Sequence, residues 1–405
     1  MINKKKALFL TTEIPYPLDN GGKIRSYNLI KGLSKNYLID LVCFAEFDVN
    51  IDDINELKKL CNDIRVVNKV FTSSLSKANT FVNVVKSIFR NRPFIIEKFN
   101  DIRFAEHIKH FMLNNFYNII IFDHLNITSY INLVKNLSDR PMVLSQHNAE
   151  YLIIKRRYEN EKNILKKIYL KYEYEKTKRF EMKVCKEFKK VIVLSEEDKL
   201  SLVSEDYKGD NIEILPISIE MGYRKRQYNS KIKNLLFLGT MSWYPNEHGI
   251  LWFLDNVFPK LIQYDKDIKL YIVGKNPSEK ILKYNSDNII VTGYVKDVNE
   301  YIEKCDICIV PIFIGGGMRV KILECMTKGL PCISTSIGAE GIKAVDGESI
   351  IIANSESEFI EKLLNLNHKF LMKIADNAYK LVCEYYSVDA VNNKLISILD
   401  NVDKD

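Results

Sequence analysis

The chain has 405 residues, of which 46% are hydrophobic and 27% charged, and its formal net charge is +7. This length suits two or three domains with large cores, and the composition is that of a folded soluble protein, not a fibrous, disordered or disulfide-scaffolded one. No apolar run approaches the roughly 18 residues needed to cross a bilayer, and no nucleic-acid-binding motif is present.

Short apolar runs alternate with helix-length segments along the whole chain. In order, strands are expected at residues 7–10, 39–44, 64–70, 119–122, 142–145, 191–194 and 212–215. A second series follows at 234–238, 269–273, 288–291, 306–310, 332–334 and 349–352. These runs are continuous rather than alternating and rich in Ile, Val and Leu, as parallel strands covered on both faces require. The alternation with helices implies two doubly wound α/β units. Periodicity is lost between 216 and 230, where the segment 219–227 turns polar. Near the end, Val388, Val391, Leu395, Ile398 and Val402 recur at three and four, the stripe of an amphipathic helix. The expected organisation is therefore 1–218, 219–384 and a terminal helix in 385–405.

Lys4, Lys5 and Lys6 precede an apolar run that Glu13 ends too early for a signal peptide. Eight cysteines stand at 43, 61, 185, 305, 308, 325, 332 and 383. Six sit in or beside apolar runs, where free cysteine behaves as a small hydrophobe. Cys305 and Cys308 spell CxxC, but no second pair or histidine cluster accompanies them. The reading is a reducing cytoplasm. Charge is unevenly spread: residues 151–190 hold 14 Lys/Arg and 6 Asp/Glu, a local +8 beside a whole-chain +7. Residues 81–92 are similarly basic and amphipathic. Such segments are solvated helix faces, or they meet anionic lipid headgroups or a pyrophosphate-bearing acceptor.

The candidate site centres on Ile314-Gly315-Gly316-Gly317-Met318-Arg319-Val320-Lys321-Ile322-Leu323-Glu324. Three glycines stand at a strand-to-helix turn, where backbone N–H groups and the positive helix end can meet an anion. At 100° per residue Gly317, Lys321 and Glu324 share a helix face. A cation near the glycines and a carboxylate one turn on suit the diphosphate and ribose hydroxyls of a sugar nucleotide. Gly21 and Gly22 precede a second apolar-periodic segment, with Arg25 as a phosphate or acceptor ligand or a surface cation. His147 follows the strand at 142–145, at the carboxyl edge where doubly wound sheets bind ligands. His124 is a weaker copy after the strand at 119–122. Pro245 and Asn246 read as the cap of a helix beginning near Glu247. Two acid pairs have the DxD form of metal-dependent transferases, Asp265 with Asp267 and Asp403 with Asp405. The first lies in a polar loop and the second at the chain end, so no metal site is expected.

The glycine loop and Glu324 resemble the donor-binding motif of family 4 glycosyltransferases, retaining enzymes with the GT-B fold of two Rossmann-like domains facing a central cleft. Phe237-Leu238-Gly239-Thr240-Met241-Ser242-Trp243-Tyr244-Pro245-Asn246, Thr292-Gly293-Tyr294-Val295, Asp306 and Ser336-Ile337-Gly338-Ala339-Glu340-Gly341 follow in family order. Pro15-Tyr16-Pro17 and Gly21-Gly22-Lys23-Ile24-Arg25 look like the first loop of the acceptor domain. The family carries two glutamates with seven residues between them; here Gly316 stands at the first, as in a glycine-rich branch. The resemblance implies a cytoplasmic transferase, without cofactor or metal, moving a hexose from a nucleotide diphosphate sugar to a lipid-linked glycan at the inner membrane face. It implies donor contacts from Gly21, Gly22, Gly239, Asn246, Gly315, Gly316, Gly317 and Met318. It gives chemical roles to His147, Arg319, Lys321 and Glu324, and a terminal helix crossing back to the first domain. A non-catalytic sugar-nucleotide-binding partner and a sugar-nucleotide epimerase remain alternatives.

Overall fold

The computed structural model describes residues 4–46, 49–70, 92–222, 232–315 and 317–402. It divides into two compact units, Met1–Pro216 with Asn392–Asp405, and Ile217–Val391.

The first unit holds seven strands: β1 (Lys5–Thr11), β2 (Tyr37–Ala45), β3 (Asp63–Asn68), β4 (Ile119–Asp123), β5 (Met142–Ser145), β6 (Lys190–Val193) and β7 (Ile212–Ile214). They form one parallel sheet in the order β3-β2-β1-β4-β5-β6-β7. The second unit holds β8 (Asn234–Leu238), β9 (Lys269–Val273), β10 (Ile289–Gly293), β11 (Ile307–Val310), β12 (Cys332–Ser334) and β13 (Ile351–Ile352). These are parallel in the order β10-β9-β8-β11-β12-β13. All thirteen expected strands form. The differences are at the ends: the third stops at Asn68 rather than 70, and the last is only Ile351–Ile352.

The continuous apolar runs are explained by burial on both sides. In β4 all five residues are buried, and in β8 the last four are. In each sheet the strand order reverses beside the first strand, between β1 and β4 and between β8 and β11. Loops leaving the carboxyl ends there part to opposite faces of the sheet and open a crevice. The candidate residues of each unit gather at that point.

The helix Val388–Val402 buries Val391, Leu395, Ile398, Leu399 and Val402. It is separated from the helix His368–Tyr385 by Tyr386 and Ser387; the Tyr386 carbonyl accepts from Ile219 N–H at 2.8 Å. Of residues 81–92 only Arg92 is described, so that basic segment lies outside the described residues, as do 223–231 and the acid pair Asp403 and Asp405.

Asp306 stands just before β11, not within it, and its Oδ2 accepts from the N–H groups of Lys233 and Asn234, both at 2.8 Å. It thereby fixes the start of β8 against β11, the two strands that flank the crevice. Asp306→Ala is expected to destabilise the second unit by about 2–3 kcal/mol, the range for bonds to a charged acceptor. Differential scanning calorimetry should show one lowered transition; an unchanged trace would remove this role.

Candidate functional site

In the second unit the site is built on the loop after β8. Gly239 has φ of 154°, and a Cβ there would lie 2.5 Å from Asn246 Nδ2 and 2.9 Å from Lys321 Nζ. A side chain at 239 would therefore occupy the place where those two groups meet. The next helix is Tyr244–Trp252, with Pro245 in its first turn. This corrects the expected start near Glu247: Asn246 lies inside the first turn and caps nothing. It is buried because it serves two distant groups. Its Nδ2 donates to the Thr240 carbonyl at 2.9 Å, and its Oδ1 accepts from Lys321 Nζ at 2.7 Å.

Lys321 is the second residue of the helix Val320–Thr327, and its ammonium also lies 4.7 Å from the centre of the Phe237 ring. Burial pushes it down to about 8, against the opposite pull of Cys308. Glu324 follows on the same face. Burial raises its carboxyl above the ordinary range, with Lys321 acting the other way. Both groups thus sit where water is scarce and an incoming charge would be felt strongly.

The glycine loop differs from the sequence reading in one respect. Gly315 and Gly317 have φ of 111° and 81°, left-handed values that side chains avoid, and the helix begins only at Val320. Gly317 is therefore loop, not helix, and shares no helix face with Lys321 and Glu324. Gly316 lies outside the described residues. Met318 is half-buried. Arg319 is the residue before the helix rather than part of its first turn. It is buried, its guanidinium donates to the Gly317 carbonyl, and it packs 5.4 Å from the Trp243 ring. It closes the loop on itself.

In the first unit the centre is Asp123, fully buried at the end of β4. Thr11 Oγ1 donates to its Oδ2 at 3.0 Å, Ser26 Oγ donates to the same oxygen, and His147 Nε2 stands 2.8 Å from Oδ1. Burial works to raise this carboxyl, but the charge and hydrogen bond of His147 win and hold it below the ordinary range. His124, with φ of 83°, stacks on His147 at 3.5 Å between ring centres. Burial pushes His124 down to about 3. The helix Gly21–Leu33 starts at the two glycines rather than after them, capped by Asn20, whose side chain accepts from Lys23 N–H at 2.9 Å. A Cβ at Gly22 would lie 2.9 Å from Glu13 Oε1 and 4.0 Å from His147 Nδ1, so this helix start meets the histidine. Arg25 is no surface cation: it is buried, and Nη1 donates to the Pro216 carbonyl at 2.7 Å.

Sequence reasoning passed over Asp123, Ser26, Thr11 and Glu13. One signal was available: an acid closing the wholly apolar run Ile119-Ile120-Ile121-Phe122 can only be buried and paired. Among the described residues, two groups place possible metal ligand atoms within 4.8 Å of one another: Asp123 with His124 and His147, and the thiols of Cys308, Cys325 and Cys332. All eight cysteines are free, and seven are buried. Asp265 and Asp267 both pair with Lys233 Nζ, at 3.2 and 2.6 Å.

Because the folded Asp123 carboxyl is depressed, its contribution to stability is complete above the unfolded value near 3.9 and fades below it. Asp123→Asn should therefore melt lower than wild type at pH 7, with the gap narrowing once pH falls below about 4. A gap that stays constant with pH would mean that the pairing carries no charge.

Residues 232–369 match the family described as Glycosyl transferases group 1. An uncharacterized 44.6 kDa protein in the cps region of Klebsiella pneumoniae is 24% identical over 396 residues, covering 94% of this chain and 96% of that protein. Among solved structures, sucrose-phosphate synthase from Thermosynechococcus elongatus superposes with a TM-score of 0.69 at 12% identity, covering 98% of this chain and 99% of that one. HepE of Anabaena, solved in complex with UDP-glucose, gives a TM-score of 0.65 at 12% identity, with 98% and 99% covered. At such identities the structural likeness shows the fold. With two parallel-sheet units matched over nearly the whole length, the chain has the GT-B fold, and the family match falls on its second unit.

Proposed function

We propose that the chain is a retaining, metal-independent glycosyltransferase of family 4. It moves a hexose from a nucleotide diphosphate sugar to a lipid-linked glycan during surface polysaccharide synthesis in the cytoplasm. The observation that carries this reading is the half-buried, poorly hydrated Lys321 ammonium, held at the crevice of β8 and β11 by the neutral oxygen of Asn246. A poorly hydrated cation fixed by a neutral partner is a receptor for an anion. The relative in a cps region supports the polysaccharide setting, and the UDP-glucose complex of HepE supports the donor class.

In the proposed reaction Lys321 and the N–H groups opening the helix Val320–Thr327 receive the diphosphate, with the Gly315–Gly317 loop against it. Glu324 accepts from the ribose hydroxyls. The bond from the anomeric carbon to the diphosphate oxygen breaks, and charge grows on the phosphates. The acceptor hydroxyl bonds to the anomeric carbon from the same face, and its proton passes to the departing phosphate oxygen. Cations preorganised in a dry site stabilise that growing charge, the work a metal does in DxD enzymes. Arg319 acts by holding the loop closed. By the family resemblance, Gly21, Gly22, Arg25 and His147 of the first unit serve the sugar, the diphosphate and the acceptor, with Asp123 orienting the His147 ring. A cavity of that unit lined by Glu13, Tyr16, Asn20, Lys23 and Asp53 has the carboxylates, amide and aromatic ring that suit glycan hydroxyls.

Turnover of a panel of nucleotide sugars, first ranked by thermal shift, tests the whole reading. Release of nucleoside diphosphate only with glycan acceptor supports it, and binding without turnover would make the chain a non-catalytic partner. Glu324→Gln should weaken donor binding by about 1–3 kcal/mol in calorimetry, the cost of a charge-assisted hydrogen bond; equal affinity in a folded variant would remove Glu324 from the ribose.

Lys321 supplies the pH dependence. Its ammonium is lost as pH rises through about 8, while a nucleoside diphosphate keeps its charge. Affinity for the best-binding diphosphate should fall between about pH 7 and 9 in wild type, and Lys321→Met should bind more weakly with no such fall. EDTA should leave wild-type turnover unchanged. Loss of turnover that manganese restores would overturn the metal-independent mechanism.

A further inference from the structure

The helix Ile164–Cys185 is amphipathic in the reverse of the usual sense. Its interior face carries Glu173, Thr177 and Glu181, all buried. Glu173 Oε2 accepts from Phe94 N–H at 2.9 Å. Glu181 accepts from the N–H groups of Glu150 and Tyr151 at 3.1 and 3.0 Å, so its carboxylate closes the start of the helix Glu150–Asn160. Two of the basic segment's six acids are thereby withdrawn from the surface.

The outward face of its first half is apolar. Ile164 is 73% exposed, Leu165 75%, Ile168 64% and Tyr172 42%. At 100° per residue these four fall within one arc of about 100°. The arc is opposite Glu173 and Thr177, so it cannot turn inward without burying water-facing lysines and exposing buried carboxylates. Asn163 caps the helix, its side chain accepting from Lys166 N–H at 3.1 Å, which places Ile164 and Leu165 in the first ordered turn. Lys171 is exposed beside the apolar arc, Lys162 is exposed just before the helix and Lys166 in its first turn, and Arg157 and Arg179 are exposed near by. Among the described residues no helix is long and apolar enough to cross a membrane.

We propose that this face docks the protein on an anionic lipid surface. Ile164, Leu165, Ile168 and Tyr172 enter the boundary between headgroups and acyl chains, and the flanking lysines meet the phosphates. Charge complementarity points to anionic lipid as the partner. The face combines bulky aliphatic tips with long cations, has lost Glu173 and Glu181 to the interior and keeps one acid, Glu175, which matches a surface that is apolar below and negative above. The inference stands on this helix and not on the donor site, so it survives or fails independently of the transferase reading. If it holds, it brings the chain to a lipid-carried acceptor.

The test uses the full chain and two kinds of vesicle, phosphatidylcholine alone and phosphatidylcholine with phosphatidylglycerol. Wild type should co-sediment with the anionic vesicles at low salt and much less at high salt, since exposed charges are screened beyond about 10 Å at 0.1 M. Replacing Ile164, Leu165 and Ile168 together by Ser should lower the bound fraction by about tenfold, as should Lys162, Lys166 and Lys171 together by Gln. Both variants should keep the wild-type melting temperature, because every changed side chain is exposed. In Tyr172→Trp, emission should shift to the blue on adding anionic vesicles, beyond any shift in wild type. Equal sedimentation of wild type and the serine variant, or no added shift from position 172, would overturn the proposal. So would self-association of wild type that the serine variant abolishes without any vesicle binding, which would assign the face to a second copy.

Discussion

Lys321 is a half-buried cation, poorly hydrated where it sits, and its hydrogen-bond partner, Asn246 Oδ1, carries no charge. Taking an ammonium out of water is costly, and a neutral oxygen returns only part of that cost. Among the described residues no carboxylate lies within ion-pair distance of it, and Glu324 on the same face is itself pushed toward its neutral form by burial. The surrounding structure is arranged around this unbalanced charge. Gly239 lacks a side chain where Lys321 and Asn246 meet, Thr240 fixes the Asn246 amide, and Asp306 fixes the strand that carries the loop. A site that keeps a cation poorly hydrated and incompletely paired favours binding an anion, and the same loss of hydration pushes the ammonium down to about 8.

The first unit puts a charge of the other sign at the equivalent point of its own sheet. Asp123 ends β4 as the loop after β11 ends in the Lys321 helix, each beside the strand-order reversal. Here the charge is satisfied, by Thr11, Ser26 and His147. The consequence is different too. A satisfied buried carboxylate fixes a ring: His147 cannot rotate freely while Nε2 is engaged, and His124 stacked against it limits the remaining freedom. One unit holds an electrostatic receptor, and the other holds an oriented imidazole with its Nδ1 close to the glycine start of a helix.

The sheets were legible in the sequence because parallel strands buried on both faces must be continuously apolar, and helices between them must not be. That rule found every strand, and it erred at ends where apolar character and backbone pairing diverge, as at Asp306. The candidate site was legible only in its local part. Glycines at a strand end announce a close backbone turn, but their number did not say where the helix starts. Gly317, with φ of 81°, belongs to the loop. Partnerships across long separations were invisible. Asn246 and Lys321 are 75 residues apart, and Asn246 next to Pro245 looks locally like a cap. Arg25, on an otherwise ordinary helix face, gives no local sign that it is buried against Pro216.

The basic segment shows most clearly what a charge count cannot say. Its excess of cations is plain from composition, and composition assigns each acid to the same solvent as each lysine. The fold sorts them. Glu181 and Glu173 are turned inward because helix starts and loops need acceptors there, and a carboxylate bonded to several N–H groups is a better end to a helix than water-exposed amide. Once those acids are used inside, the first half of the helix has no apolar side left to bury, and Ile164, Leu165 and Ile168 remain at the surface among lysines. An exposed apolar stripe of this kind persists at a cost in water, and its flanking charge restricts what can cover it. The same act that completes the first unit's interior therefore determines the chemistry of its outer face.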